Sequence, residues 1–157
     1  LIRGDEKRRL IPPQNLSLVI GNSMISHNTS EMVRRVAEFR EHSPAIANPI
    51  MDAIGAITME AMYNMENHKE LGVLMNKNHA LLEALGVSHP ALSNLVLAAR
   101  DAGAYGAKLS GAGGGGCIWA LCSKGSRSRV ANALEDCGAK TIVTTIDTEG
   151  ARKEADL

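Results

Sequence analysis

The residues best suited to chemistry lie between Ala107 and Leu121, in the stretch AKLSGAGGGGCIWAL. Five of the six positions from Gly111 to Gly116 are glycine, Ala112 is the one interruption, and apolar runs flank them on both sides. Glycine gives up the most backbone entropy on folding and brings no side chain to pack, so neither a helix nor a strand interior accounts for such a run. Three demands do account for it: turns that require positive φ, a backbone or ligand that must come close, or a cradle of N–H groups for an anion. A wide glycine-rich hairpin is the plainer reading, but a hairpin turn needs one or two glycines, so five point to close approach. The run lacks the G-x-x-x-x-G-K-[ST] of a P-loop. Nor does it open a helix, as a dinucleotide fingerprint does, because the strand-like Cys117-Ile118-Trp119-Ala120-Leu121 follows it.

Other candidate groups are sparser. Asn28 or Thr29 can cap the helix that follows, and a capping threonine remains free to make a further contact. Lys108 precedes the glycine run but reads as a solvated charge on an edge strand. His79 lies at helical spacing from Met75 and Leu82, which suits a hydrogen-bonded structural histidine better than a base or ligand. None of the five histidines has a spacing that calls for a metal. Cys117, Cys122 and Cys137 form no C-x-x-C pair and read as small buried apolar residues of a protein in a reducing cytoplasm.

Elements must position these groups, and the composition allows a sizeable core. The 157 residues are 45% hydrophobic and 22% charged, which suits one globular domain. Seventeen basic against seventeen acidic residues leave no net charge. Bulk electrostatics therefore favour neither nucleic acid nor a membrane surface, and the expected partner is a small molecule or a protein. No apolar window approaches the roughly 18 residues of a membrane span, and no charged-then-apolar leader opens the chain. The opening Leu1-Ile2-Arg3 with Gly4-Asp5-Glu6-Lys7 reads as a strand ending in a turn, with Arg8 to Ile11 as its return, so the chain is expected to be a fragment.

The pattern then predicts a strand over Leu16–Ile20 and a helix over Ser30–Glu41 with Met32, Val33, Val36 and Phe39 on its apolar face. Further helices are expected over Ala45–Asn64, with Pro49 in the first turn or at a kink, over Asn67–Leu85, closed by Gly86, and from Ser88-His89-Pro90 to Gly103. The Met-rich segment from Met51 to Met65 belongs to the core or to an interface. Strands over Ala107–Ser110 and Cys117–Cys122, a helix over Ser126–Cys137 and a strand over Thr141–Ile146 complete an α+β layer.

Ala107 through Cys117, with Ser110-Gly111-Ala112-Gly113-Gly114-Gly115-Gly116 at its centre, resembles the third, C-terminal motif of the GHMP kinases. This superfamily includes galactokinase, homoserine kinase, mevalonate kinase and phosphomevalonate kinase. Met75-Asn76-Lys77-Asn78-His79-Ala80-Leu81-Leu82, with Leu85-Gly86-Val87-Ser88-His89, resembles the helix before that motif in the mevalonate kinases, and Val19-Ile20-Gly21-Asn22-Ser23 with Asn28-Thr29 resembles their second motif. The likeness covers Ser17 to Ile146 and is nearest to mevalonate kinases of archaeal type.

The resemblance implies a ferredoxin-like C-terminal domain over residues 16–157, an antiparallel sheet with a layer of helices. Residues 1–15 would be the end of a preceding lobe or a connecting hairpin. It further implies a two-lobed, cytoplasmic enzyme of isoprenoid biosynthesis, a homodimer, that uses ATP and Mg²⁺ to phosphorylate mevalonate. The ATP-wrapping P-x-x-x-G-L-G-S-S-A loop, the catalytic aspartate and its lysine are expected upstream of Leu1, and with them most of the contacts to ATP and Mg²⁺. This chain alone is therefore expected to be inactive and to associate with the N-terminal lobe. Thr29 and Ala112 are implied neighbours of the substrate or the transferred phosphate, with Asn28, Ser110, Gly111, Gly113 and Gly114 beside them. Another GHMP kinase, acting on phosphomevalonate or homoserine, or a non-catalytic small-molecule-binding module, is the alternative.

Overall fold

The computed structural model describes residues 2–3, 6–7, 13, 16–26 and 28–146. Two short strands, β1 (Ile2–Arg3) and β2 (Glu6–Lys7), pair antiparallel with Ile2 opposite Lys7. The return strand thus comes earlier than expected, at Glu6–Lys7, and the expected position at Arg8 to Ile11 lies outside the described residues. The main sheet is formed by β3 (Ser17–Asn22), β4 (Gly106–Leu109), β5 (Cys117–Cys122) and β6 (Lys140–Thr145), in the order β4-β5-β3-β6 with every neighbouring pair antiparallel.

Between β3 and β4 run four helices: α1 (Thr29–His42), α2 (Pro44–Tyr63), α3 (His68–Ala84) and α4 (Pro90–Asp101). A fifth, α5 (Arg127–Asp136), connects β5 to β6. The path is β-(helices)-β-β-α-β, the ferredoxin-like plan with its first crossover enlarged. Local signals explain the helix ends. The Asn28 side chain accepts from the N–H groups of Ser30 (3.0 Å) and Glu31 (3.3 Å), and Asn67 accepts from Glu70 (3.2 Å). Pro44 and Pro90 sit in the first turns of α2 and α4, where a missing N–H costs nothing. Pro49 lies inside α2, yet the carbonyl it leaves unpaired belongs to Ala45, still in the first turn.

Strand alternation sorts the sheet into two faces. Val19, Ala107, Leu109, Ile118, Ala120 and Cys122 bury themselves against Leu92, Leu95, Val96 and Ala99 of α4 and Val130, Ala131 and Leu134 of α5. The opposite face carries Leu18 and Leu121, which α3 covers at one end with Leu71 and Met75. Farther along that face Trp119 and Ile142 stay exposed. Two expectations change here. Val33 is 62% exposed because the α1 stripe that reaches the core is narrower, made of Met32, Val36 and Phe39, and Cys137 is exposed where α5 ends, while Cys122 is buried and Cys117 half-buried.

A close backbone contact joins α3 and β4. Gly72 and Gly106 meet backbone to backbone: a Cβ on Gly106 would stand 1.9 Å from the Gly72 carbonyl oxygen, and one on Gly72 would stand 2.4 Å from the Tyr105 backbone. This proximity lets α3 serve the open edge of β4. Asn76 Oδ1 accepts from the Ala107 N–H (3.0 Å) and His79 Nδ1 accepts from the Leu109 N–H (3.4 Å), so two edge donors that would otherwise lack strand partners are paired by a helix.

Gly106→Ala should cost about 3 kcal/mol, the upper end of overpacking penalties, in urea unfolding. Gly55→Ala, inside α2 with nothing within 4 Å of the new methyl, should stabilise by about 0.5–1 kcal/mol. Equal effects of the two substitutions would show that the α3–β4 approach is not what the glycines serve.

Candidate functional site

The glycine run is a loop closed at its base by the Ser110 N–H bonding to the Cys117 carbonyl (2.9 Å). Gly111, Gly113, Gly114, Gly115 and Gly116 all have positive φ, which L side chains rarely adopt. Only Gly111 among the first four faces open space. A Cβ would lie 1.9 Å from the Val87 carbonyl oxygen at Gly113, 2.8 Å from Met32 Sδ at Gly114 and 2.6 Å from the Ile25 carbonyl oxygen at Gly115. What comes close to this backbone is the domain's own chain. The Gly114 N–H donates to Val87 O (2.8 Å), the Gly116 N–H to Ile25 O (3.1 Å), and the Ser23 N–H to Gly116 O (2.8 Å). The N–H groups of Gly111, Ala112, Gly113 and Gly115 donate to no backbone carbonyl among the described residues.

Residues 23–26 and Asn28 lie beside the loop. Met24 adopts φ 59°, with its N–H held by Asn22 Oδ1 (2.9 Å), while Ser23 Oγ accepts from the Ile25 N–H (3.3 Å). A left-handed methionine is uncommon, and such strain concentrates at functional segments. Beside it opens a cleft of about 440 Å³ lined by Ser26, Asn28, Glu31, Met32, Arg35, Ser88, His89 and Gly114. The N-caps of α1 and α4, Asn28 and His89, both stand on its wall, so two helix N-termini contribute partial positive charge there. Arg35 adds a guanidinium paired with Glu31 at 2.5 Å. The arrangement favours an anionic or strongly polar ligand.

Of the residues singled out from sequence, Asn28 and Gly114 line the cleft. Thr29 is exposed in the first turn of α1, and since Asn28 does the capping, the Thr29 hydroxyl makes no hydrogen bond among the described residues. Ser110, Gly111, Ala112 and Gly113 belong to the loop without lining the cleft itself. Sequence reading missed Arg35, Ser88 and His89 as lining residues. The signal available was Ser88-His89, read as a helix start and as part of the family resemblance but not as a cleft wall. No group of three His, Cys, Asp or Glu side chains that could hold a metal occurs among the described residues.

The family description "GHMP kinases C terminal" matches residues 58–140, more than half of the chain. The chain belongs to the GHMP kinases. The ferredoxin-like order and the glycine loop are thus those of a GHMP kinase C-terminal domain. A curated mevalonate kinase of Thermococcus sibiricus is 44% identical over 92% of this chain, and one of Pyrococcus furiosus is 43% identical over the same share. The chain spans 45% of the length of each. Among solved structures, L. major mevalonate kinase in complex with R-mevalonate superimposes with a TM-score of 0.83 at 30% identity, covering 91% of this chain and 46% of that one. Streptococcus pneumoniae phosphomevalonate kinase, 22% identical, shares the fold with a TM-score of 0.77 over 88% of this chain and 42% of its own.

Three groups among the described residues of this GHMP kinase domain have shifted acidities; one is the Cys122 thiol, which burial pushes up against the opposing effect of Ser126 and Arg127. His79 is buried, with Nδ1 taken by Leu109; burial lowers its pKa, Glu83 opposes that, and Lys108 and Arg100 reinforce it. The structural role expected for this histidine holds. Lys108 is not the solvated edge charge expected of it. Its Nζ donates to the Leu109 carbonyl (2.8 Å) in a half-buried position between α2, α3 and β4, and burial lowers its pKa.

Because the folded His79 binds its proton more weakly than the unfolded one, its contribution to stability is complete above about pH 6.5 and lost as the pH falls below that value. The melting temperature should therefore fall more steeply from pH 7.5 to 5 in the parent chain than in His79→Gln, measured by circular dichroism. Parallel curves would remove His79 from the acid response.

Proposed function

We propose that this chain is the C-terminal lobe of a mevalonate kinase, in which the γ-phosphoryl group of ATP passes to the primary hydroxyl of mevalonate to give 5-phosphomevalonate. The observation that carries this reading is the 44% identity to a mevalonate kinase across 92% of the chain. On this reading the ATP-wrapping loop, the catalytic aspartate and its lysine belong to an N-terminal lobe, and this lobe without it is inactive. The enzyme works as a homodimer in the cytoplasm, within isoprenoid biosynthesis.

Phosphoryl transfer depends on positioning and charge stabilisation more than on covalent chemistry by the protein. In this lobe the unspent N–H groups of Gly111, Ala112 and Gly113 offer fixed donors where negative charge must be held. On this reading the methyl of Ala112, the one side chain between Gly111 and Gly116, borders the substrate, and the hydroxyl of Thr29, at the start of α1, contacts the substrate or the transferred phosphate. Asn28 keeps that hydroxyl available by taking the cap, and Ser110 anchors the loop base. Mg²⁺, when bound with ATP, neutralises phosphate charge. On this reading Mg²⁺ is held mainly by the N-terminal lobe, and among the described residues no group of three His, Cys, Asp or Glu side chains could hold it.

A two-lobed enzyme carrying this lobe should release ADP with mevalonate at least about tenfold faster than with phosphomevalonate, homoserine or galactose, while the lobe alone stays silent. A preference for any of the other alcohols would overturn the assignment. In the same enzyme Ala112→Leu should raise the KM for mevalonate about tenfold or more, because a larger side chain enters the pocket, with the melting temperature within a few degrees of the parent. Unchanged kinetics would take Ala112 out of the site.

A further inference from the structure

We propose that Glu83 and Ser93 form a positioning chain that runs from buried His79 to the cleft wall and holds Ser88 there as a hydrogen-bond acceptor for a ligand hydroxyl. His79 Nδ1 accepts from the Leu109 N–H (3.4 Å), which places the imidazole proton on Nε2. That Nε2 is fully enclosed, has no hydrogen-bond partner, and stands 3.5 Å from Glu83 Oε1. The same Glu83 oxygen accepts from the Ser93 hydroxyl, and Ser93 Oγ lies 3.1 Å from Ser88 Oγ.

A serine has one proton to give. Ser93 gives its proton to a carboxylate, which cannot donate in return, so the contact between the two serines must be made with the Ser88 proton. The polarity of the chain is thereby set: Ser88 donates to Ser93, Ser93 to Glu83, and the His79 Nε2–H faces the same carboxylate. With its proton directed inward, Ser88 shows the cleft only lone pairs. It can accept from an alcohol or ammonium group but repels a phosphate oxygen. Ser88 also follows Val87, whose carbonyl takes the Gly114 N–H (2.8 Å), so the chain steadies the strut on which the glycine loop rests.

The kinetic part of this proposal rests on the reading as a mevalonate kinase lobe, and the test separates the two. In the two-lobed enzyme, Ser93→Ala should raise the KM for the alcohol about five- to tenfold with kcat within about twofold, and Ser93→Thr, which keeps the hydroxyl, should restore it. Ser88→Ala should match Ser93→Ala, and the double variant should be no worse than either alone, as a single coupled unit demands. Additive losses, or a KM unchanged in Ser93→Ala, would overturn the chain. A second readout needs no activity: in Ser93→Ala the Gly114 amide should exchange with solvent about tenfold faster while the Ala107 and Leu109 amides keep their protection. Unchanged Gly114 exchange would also overturn it. A parent enzyme silent toward mevalonate would fail the functional reading alone, with Gly114 exchange still deciding the chain.

Discussion

The contact on which the rest of the domain depends is the meeting of α3 and β4 through two glycines. Gly72 and Gly106 bring a helix and a strand together with no side chain between them, since a methyl on Gly106 would overlap the Gly72 carbonyl. At that distance the polar side chains of α3 reach the edge of β4, and the N–H groups of Ala107 and Leu109 find partners in Asn76 and His79. Three helix residues advance about 4.5 Å, while two strand residues advance about 6.6 Å. Side chains as long as asparagine and histidine bridge that difference. An edge strand that would invite another chain is closed by a helix of its own domain.

This matters for the site because β4 leads directly into the glycine loop. Its course is set on one side by α3 and on the other by three backbone hydrogen bonds, from Gly114 to Val87, from Gly116 to Ile25, and from Ser23 to Gly116. The loop holds together segments far apart in sequence, the approach to α1 and the turn before α4. Two helix N-termini converge on the cleft as a result. The N–H groups of Gly111, Ala112, Gly113 and Gly115 are left without a backbone acceptor among the described residues, on a loop tied down by those three bonds.

Much of the fold was legible in the sequence because the local signals agreed with one another. The alternation of β-branched and apolar residues, the helical stripes, Gly86 and Gly103 as helix ends, and Pro90 as a helix start gave most boundaries to within a residue or two. The exceptions share a cause. Val33, Cys137 and Lys108 are residues whose burial depends on which element lies opposite, and nothing local to them says so. The same holds for Arg35, Ser88 and His89, which line the cleft only because the first turns of α1 and the N-cap of α4 are brought to one place.

By itself the sequence showed that a run of five glycines called for positive φ, a close approach or an anion cradle, that Asn28 or Thr29 would cap a helix, and that the order of strands and helices was α+β. Those conclusions follow from conformational entropy, capping and periodicity, which act within a few residues. What approached the glycines was decided only in three dimensions. It proved to be the carbonyls of Val87 and Ile25 and the sulfur of Met32, supplied by segments roughly 25 to 90 residues away in the chain. Which of Asn28 and Thr29 took the cap was settled the same way, and that choice left the threonine hydroxyl free. Glycine records that space is needed, but with no side chain it carries no information about what fills it.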